Sequence, residues 1–548
     1  MTPPLAPHDP QTILDVLDHQ ARVLGDATYI ECEGEHRSYA DLRERSRLLA
    51  GGLRRLGLTA GDRIGVLADS SLAVVEVFFA CARLGLVQVP LNSYLRGEFL
   101  RYQLEHSGCV AAIVDDAGRQ AIRALEPAVG LDRLIVIGPS IDDDIALEDL
   151  AAGEPVSADE EITSSTLAGI IYTSGTTGMP KGCMVPHGMF VRPQATHLAA
   201  GFVRPGDRLL TPSPMFHMGF LGGMLATTLL AGASLHAVRR FRASTFMQTA
   251  RDTRATVIYA VGSVGSLLLA QPPTPQDRET ELRVALLPPM SPDQQVRFEE
   301  RFGVPVLAEN YGQSEVIVIS LANVDDARVR GSAGSPAAYL DVAVVDERGF
   351  RVAPGEVGEV VVRPRVPDAM FMGYWNDPGA TLETWRDLWH HTGDLGRQTD
   401  GETLWIVDRK KDSIRRRGEN VSSIELEGAI ALHEAVEQVA VHAIASELGE
   451  DEIKACIVLR PNQAADCAEL FEFFKRTLPY FAVPRYIEVM EALPVNAVGR
   501  VRKDELRERG VTAATWDLLA LGMTVAPEER RGAPISPESG PTYNMTSR

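Results

Sequence analysis

The sequence predicts an α/β protein: a large N-terminal domain of mainly parallel sheets flanked by helices, with a small β-rich unit, followed by a small α+β C-terminal domain on a hinge. Short apolar runs such as RIGVLA, AAIVDD and RLIVIG alternate with amphipathic, arginine-rich segments, as is typical of parallel sheets covered by helices. From about residue 330 to 407, short alternating strands with Gly and Pro turns predict the β-rich unit. A helix, strand, strand, helix pattern then predicts the C-terminal domain.

These changes of pattern place the domain boundaries. We expect a large N-terminal domain at residues 1–407, a hinge at 408–412, a C-terminal domain at 413–525 and a flexible tail at 526–548. A chain of 548 residues favours more than one domain, because single hydrophobic cores stop growing at about 250–300 residues. The tail is rich in Pro, Gly and Ser, which is typical of segments that do not pack.

The composition excludes some classes of partner. The chain has 54 basic and 74 acidic side chains, a formal net charge of −20, whereas nucleic acids and anionic membranes are bound through basic surfaces. We therefore expect no nucleic-acid and no membrane partner. The six cysteines include no C-x-x-C pair, so we expect no disulfide framework or zinc knuckle. No secretion signal or long apolar span is recognisable, and we expect a soluble, cytoplasmic protein.

A strand followed by a loop of small polar residues is the strongest local signal. After Tyr172, seven of the next ten residues are Gly, Ser or Thr. Such a loop offers backbone N–H groups and hydroxyls to phosphate oxygens, and a lysine at its end adds positive charge. It differs from a Walker A loop, because no lysine in the chain follows a glycine. The alternative is a flexible surface turn. The candidate residues are Thr173, Ser174, Gly175, Thr176, Thr177, Gly178 and Lys181.

Two further segments carry acidic residues suited to a nucleotide. In ENYGQSE, Glu315 is a candidate magnesium ligand, since a carboxylate beside a phosphate loop suits that ion; the alternative is a solvated surface acid. A nucleophile elbow at Gly312 is excluded, because the fifth position of that motif is valine here. In HTGDLG, Asp394 is suited to hold two ribose hydroxyls, and Arg409 of DRKKD can share them.

The order of these segments identifies a family resemblance. YTSGTTGMPKG, PMFHMG, YGQSE, GYW, HTGDLG, DRKKDSIRRRGENVSSIELE and LPVNAVGRVRK occur in this order over nearly the whole chain. They resemble the adenylate-forming superfamily of acyl-CoA synthetases, luciferases and nonribosomal adenylation domains. The run RRRGENVSSIELE is most similar to the branch that contains carnitine- and crotonobetaine-CoA ligases. The resemblance implies a large N-terminal domain and a small C-terminal domain that rotates about a hinge at Lys411.

The resemblance also implies a role for each motif. The loop from Thr173 to Lys181 would hold the β- and γ-phosphates of ATP, and Glu315 the magnesium ion. Asp394 with Arg409 would hold the ribose. Tyr311 would contact the adenine, and Ser314, where relatives have threonine, would lie at the nucleotide.

The same motifs imply an acid pocket and an acceptor tunnel. His217 in PMFHMG would lie between the nucleotide and the acid; the alternative is a packed core histidine. By motif neighbourhood, the pocket walls are Phe216, Val261, Gly262, Gly312 and Gln313. After rotation of the C-terminal domain, the loop of Arg417, Gly418 and Glu419 would border the pantetheine tunnel of CoA.

The chain departs from the family pattern in its last motif. Relatives have a lysine for adenylation after the glycine, and this chain has Arg500 after Gly499. A guanidinium keeps the charge but places its donors in a broader fork than an ammonium. Only six of the basic residues are lysine, and one of them, Lys503, stands three positions later. Both Arg500 and Lys503 are therefore candidates for the adenylation step. Two prolines, in LPPM, also replace the usual glycines against the adenine.

Together the motifs predict an ATP-dependent, AMP-forming acid:CoA ligase that activates a small carboxylic acid, with ATP, Mg²⁺ and CoA as cofactors. Because two anions must meet, positioning and charge screening would supply most of the catalysis. One alternative is an adenylating enzyme with a carrier-protein thiol or an amine as acceptor, including a diazotase-type enzyme that activates nitrite for an arylamine. Another is an inactive nucleotide-binding scaffold, which the intact motifs argue against.

Overall fold

The structure is a computed structural model. It describes residues 11–141, 143–156, 161–173, 179–399, 403–409, 413–417, 419–446, 450–494, 501 and 503–526.

Two seven-stranded sheets form the N-terminal part of the protein. Their strands are β1 (Thr28–Cys32), β2 (Glu35–Ser38), β3 (Arg63–Leu67), β4 (Val87–Pro90), β5 (Cys109–Val114), β6 (Arg133–Val136), β7 (Ile145–Ala146), β8 (Leu167–Thr173), β9 (Lys181–Pro186), β10 (Arg208–Thr211), β11 (Ser234–Ala237), β12 (Val257–Tyr259), β13 (Val284–Leu286) and β14 (Val306–Leu307). One sheet has the order β14-β13-β12-β10-β11-β1-β2, and the other has the order β7-β6-β5-β3-β4-β8-β9. All pairs are parallel except β1–β2 and β8–β9.

Helices cover these sheets. They are α1 (Ile13–Val23), α2 (Tyr39–Arg55), α3 (Leu72–Arg83), α4 (Gly97–Ser107), α5 (Asp116–Arg123), α6 (Leu147–Leu150), α7 (Gln194–Ala199), α8 (Ala226–Ala231), α9 (Ala243–Asp252), α10 (Gly262–Leu269) and α11 (Pro292–Phe302), with a π-helix at Gly219–Leu225 and 3₁₀ turns at His187–Phe190 and Pro275–Arg278. The largest apolar core joins both sheets through α3, with Ile30, Ile64 and Phe79 all fully buried. Strands covered on both faces become almost continuously apolar, as in β3 and β5.

The β-rich unit follows β14 in the chain. Its strands are β15 (Asn310–Tyr311), β16 (Ser320–Leu321), β17 (Ser335–Pro336), β18 (Leu340–Val345), β19 (Gly358–Pro364), β20 (Trp385–Arg386), β21 (Trp389–Gln398) and β22 (Leu404–Arg409), with α12 at Pro378–Thr384. The strands β18, β19, β21, β20 and β22 pair antiparallel in one sheet.

The C-terminal part folds around its own apolar core. A hairpin of β23 (Ser413–Arg416) and β24 (Glu419–Ser422) precedes a sheet in the order β25 (Val436–Ala445), β26 (Asp451–Leu459), β27 (Tyr486–Met490) and β28 (Trp516–Asp517). Its helices are α13 (Ser423–Ile430), α14 (Cys467–Thr477) and α15 (Lys503–Arg509). The hinge residues 410–412 and the tail from residue 527 lie outside the described residues, so the domain boundaries stay predictions.

These observations confirm the predicted fold class. The valine- and isoleucine-rich runs form parallel strands, and the region from 330 to 407 is mainly antiparallel. No helix in the described ranges combines the length and the hydrophobicity needed to cross a membrane. The six cysteines are free thiols.

A glycine in α2 permits a close approach of α6. A Cβ atom at Gly52 would lie 2.3 Å from the backbone oxygen of Leu150 and 2.5 Å from its Cβ atom, and real Cβ atoms do not approach backbone so closely. We expect Gly52→Ala to lower the free energy of unfolding by about 1–3 kcal/mol, because backbone must move. The matched control is Gly428→Ala in α13, where a Cβ would meet nothing within 4 Å. That change should be neutral or stabilising. Thermal and urea unfolding of both variants measure this, and equal stability of the two would contradict the packing.

Candidate active site

One large cleft gathers most of the side chains that the motifs carry. It has a volume of about 1560 Å³ and is lined by the N-terminal part, the β-rich unit and the C-terminal part. Large clefts with a few convergent polar groups are the usual place for small-molecule sites. Of the predicted site residues, Thr173, Lys181, His217, Val261, Tyr311, Gly312, Gln313, Ser314, Glu315, Asp394, Arg417 and Glu419 line it.

The two ends of the predicted phosphate loop meet at the cleft wall. Thr173 ends β8 and Lys181 begins β9, and the two residues are paired across the antiparallel ladder. The Lys181 ammonium lies 5.0 Å from the centroid of the Tyr374 ring, within the range of a cation–π contact. The residues between them that we predict to bind phosphate, 174–178, lie outside the described residues.

A carboxylate stands beside this loop. Glu315 accepts a 2.9 Å hydrogen bond at Oε1 from the Tyr374 hydroxyl. Burial, together with the negative charge of Glu315, raises the pKa of Tyr374 far above its ordinary value, so the phenol remains a hydrogen-bond donor at neutral pH. The same aromatic ring thus contacts both Lys181 and Glu315, and it holds the cation and the carboxylate on one wall of the cleft.

The residues around Glu315 fit a magnesium ion that takes most of its ligands from water and substrate phosphates. In the part of the chain that the structure describes, no group of three His, Cys, Asp or Glu side chains could hold a metal ion. Magnesium is usually held by one or two protein carboxylates and takes its other oxygens from water and substrate phosphates. A single carboxylate next to Thr173 and Lys181 meets that requirement, whereas an ion caged entirely by protein does not fit the described residues.

A buried aspartate forms the second polar centre of the cleft. Asp394 is 3% exposed and accepts hydrogen bonds at Oδ2 from the Tyr311 hydroxyl at 2.5 Å and from Gln313 Nε2 at 2.7 Å. A buried carboxylate needs such donors, because burying it without them is costly. Arg409 is its backbone partner across β21–β22. The YGQSE and HTGDLG motifs are therefore joined by direct hydrogen bonds.

His217 connects the N-terminal part to the C-terminal part. Its Nε2 atom lies 2.9 Å from Oε1 of Glu419, the first residue of β24. The ring of Phe216 lies 4.5 Å from the His217 ring, but Phe216 is not among the cleft-lining residues. Gly262 begins α10 behind the wall, where a Cβ atom would lie 1.6 Å from the Pro289 oxygen. The His217 side chain is 35% exposed and lines the cleft, so it does not pack in the core.

The hairpin that carries Glu419 is fixed in the cleft by acidic and aromatic side chains. The Arg417 N–H donates to Glu450 at 2.6 Å, and Arg417 has a positive φ of 55°. Its guanidinium lies 5.4 Å from the Tyr480 ring centroid. Tyr480 in turn makes an edge contact with Tyr94 of the N-terminal part, at 4.4 Å between centroids. Gly418 lies outside the described residues.

The structure describes Lys503, one of the two candidates for the adenylation step. The Lys503 ammonium is 2.7 Å from Ser423 Oγ and 2.7 Å from Glu427 Oε1, both on α13. These contacts lie within the C-terminal part, and none of the three residues is among those that line the cleft. Arg500 and the hinge residue Lys411 lie outside the described residues.

Several cleft residues were not identified by sequence reasoning. Tyr259 at the end of β12 and Asn310 before Tyr311 line the cleft, as do Met218 and Met224. Met218 belongs to the PMFHMG segment and could have been found from it. Tyr259 carries no comparable signal, because a tyrosine at the end of an apolar strand is common in any core.

Comparisons with known proteins identify the family of the chain. Residues 17–375 match the family model of AMP-binding enzymes, and residues 425–500 match that of the AMP-binding enzyme C-terminal domain. Feruloyl-CoA synthase from Amycolatopsis sp is 32% identical over 501 residues, which cover 89% of this chain and 97% of the relative. Crotonobetaine/carnitine–CoA ligase from Salmonella paratyphi A is 29% identical over 514 residues, which cover 91% of this chain and 99% of the relative.

A solved structure shares the fold. The amide bond synthetase McbA from Marinactinospora thermotolerans superposes with a TM-score of 0.80 at 24% identity, covering 91% of this chain and 99% of that chain. Because the family models span most of the sequence and the motifs meet in one cleft, the chain belongs to the AMP-binding enzymes of the adenylate-forming superfamily and is an AMP-forming ligase.

Proposed function

We propose that this protein activates a small carboxylic acid with ATP and transfers the acyl group to CoA. The observation that carries the proposal is the common cleft: the ends of the phosphate-loop motif, Glu315 and Asp394 line it together, and Glu419 of the C-terminal hairpin contacts His217 there. A nucleotide site and an acceptor-side hairpin would thus meet at one histidine.

In the first step a carboxylate oxygen of the acid bonds to the α-phosphorus of ATP, and the bond from that phosphorus to pyrophosphate breaks. Positioning and electrostatic stabilisation dominate such transfers. Lys181 and Thr173 would hold the leaving phosphates, and Asp394 the ribose. A magnesium ion, held by Glu315 and the phosphates, would neutralise charge when bound.

In the second step the thiol sulfur of CoA bonds to the acyl carbon, AMP leaves with the C–O bonding electrons, and the thiol loses its proton. The hairpin of Arg417 and Glu419 would border the path of the thiol. Arg239, Arg240 and Arg242 also line the cleft, and arginine forks suit phosphate groups. This concentration of cations favours a phosphorylated acceptor such as CoA over a free amine.

The proposal is tested in two stages. Enzyme with ATP, Mg²⁺ and a panel of acids, without CoA, should release pyrophosphate in an acid-dependent burst close to one equivalent. Adding CoA should convert the burst into steady turnover and yield the acyl thioester, identified by mass. Turnover that depends on an amine or a carrier protein, with no thioester from CoA, would contradict CoA as the acceptor and support the alternative. Absence of any burst would contradict adenylation.

Alanine substitutions distinguish the roles of Arg500 and Lys503 in adenylation. We expect Arg500→Ala to slow the pyrophosphate burst by about 10²-fold or more, because a cation at the developing charge is lost. Lys503→Ala should slow it less than about threefold, because the Lys503 ammonium pairs with Glu427 in α13; its main effect should be a lower thermal midpoint. Arg500→Lys is the matched control and should retain most of the rate. A larger effect of Lys503→Ala on the burst would reverse the assignment.

A further inference from the structure

One end of the cleft is built from apolar side chains and two neutral polar ones. We call it the apolar end: Met218, Met224, Val261, Val264, Leu267 and Ile317 line it, together with Tyr259 and Asn310. One of its residues, Met218, directly follows His217 in the sequence. Unlike the lining at Lys181 and Asp394, the residues that define the apolar end carry no charge. On the proposed function, which this inference takes as its basis, it is the place for the acid.

Two glycines of the π-helix let residues of the apolar end approach the helix backbone. A Cβ atom at Gly222 would lie 2.5 Å from Ile317 Cδ1, and one at Gly223 would lie 3.3 Å from the Tyr259 hydroxyl oxygen. Ile317 and Tyr259 therefore lie against two consecutive residues of the helix. Short π-helices are frequent at functional sites. A larger residue at Gly222 would displace Ile317, which lines the apolar end.

The Tyr259 hydroxyl is the polar group of the apolar end. It lies against Gly223, and the side chain of Asn310, which also lines the cleft, partly offsets the rise in the pKa of the phenol. Burial raises the pKa of Tyr259, and the phenol therefore stays protonated at neutral pH. A tyrosine hydroxyl held in this way can donate to a ring substituent of the substrate.

The lack of charge on the residues that define the apolar end distinguishes between classes of acid substrate. Neither the six apolar residues nor Tyr259 and Asn310 carry a charge, so an ammonium or a second carboxylate placed here would lose its hydration without a partner. A plain alkyl chain would cover the Tyr259 hydroxyl and leave its donor unpaired. An uncharged ring that carries a hydroxyl would fill the apolar space and pair the donor.

We propose that the acid is a hydroxylated aryl acid whose ring hydroxyl is recognised by Tyr259, and that Tyr259 determines specificity. Among the relatives, this chemistry agrees with a feruloyl-type acid and disagrees with a cationic acid such as carnitine.

The test measures pyrophosphate release without CoA. The acids are 4-hydroxycinnamate with cinnamate, 4-hydroxybenzoate with benzoate, carnitine and hexanoate. In at least one aryl pair, kcat/KM of the hydroxylated acid should exceed that of its unsubstituted partner about tenfold or more, because sites built around a hydroxyl reject analogues that lack it. Tyr259→Phe should reduce this ratio to about one. The matched control, Tyr39→Phe, removes a buried hydroxyl that donates to Ala233 in the core and should leave the ratio unchanged.

Two results would overturn the inference and leave the proposed function intact. One is faster pyrophosphate release with carnitine or hexanoate than with the hydroxylated aryl acids. The other is a hydroxyl preference that Tyr259→Phe does not change. Absence of release with every acid of the panel would overturn both the inference and the proposed function.

Discussion

The contact between His217 and Glu419 joins two parts of the chain that pack around separate apolar cores. Tyr94 and Phe99 of the N-terminal part also pack against the C-terminal core. The Tyr94–Tyr480 edge contact and the Arg417–Tyr480 cation–π contact stand beside the histidine pair. Partly exposed contacts of this kind are weak, and weak contacts would permit the domain rotation that the family resemblance implies.

The distribution of charge in the cleft follows the chemistry we propose. The whole chain carries a net charge of −20, yet Lys181, Arg239, Arg240 and Arg242 all line the cleft. The residues that define the apolar end carry no charge. On the proposed function, these cations would let an anionic protein bind polyanionic ligands, and the apolar end would receive the acid.

The fold was predictable because its information is local. Runs such as RIGVL and CVAAIV predict buried parallel strands. The order of the motifs predicts that Lys181, Glu315 and Asp394 belong to one site. Contacts between distant segments were not predictable in this way. Tyr94 and Tyr480 belong to no motif, and Tyr259 looks like any core tyrosine until Gly223 is seen against it. Lys503 stands three positions after the motif position of the adenylation lysine, and its sequence position alone could not reveal that its ammonium pairs with Glu427.

We infer that the contact between His217 and Glu419 holds the C-terminal hairpin in place for acyl transfer. A double-mutant cycle of His217→Ala and Glu419→Ala, read as the rate of thioester formation from preformed acyl-adenylate, measures this role. We expect a coupling energy of about 1 kcal/mol or more, since residues in direct contact are non-additive, and a smaller coupling on the pyrophosphate burst. Additive effects on thioester formation would show that the contact has no such role.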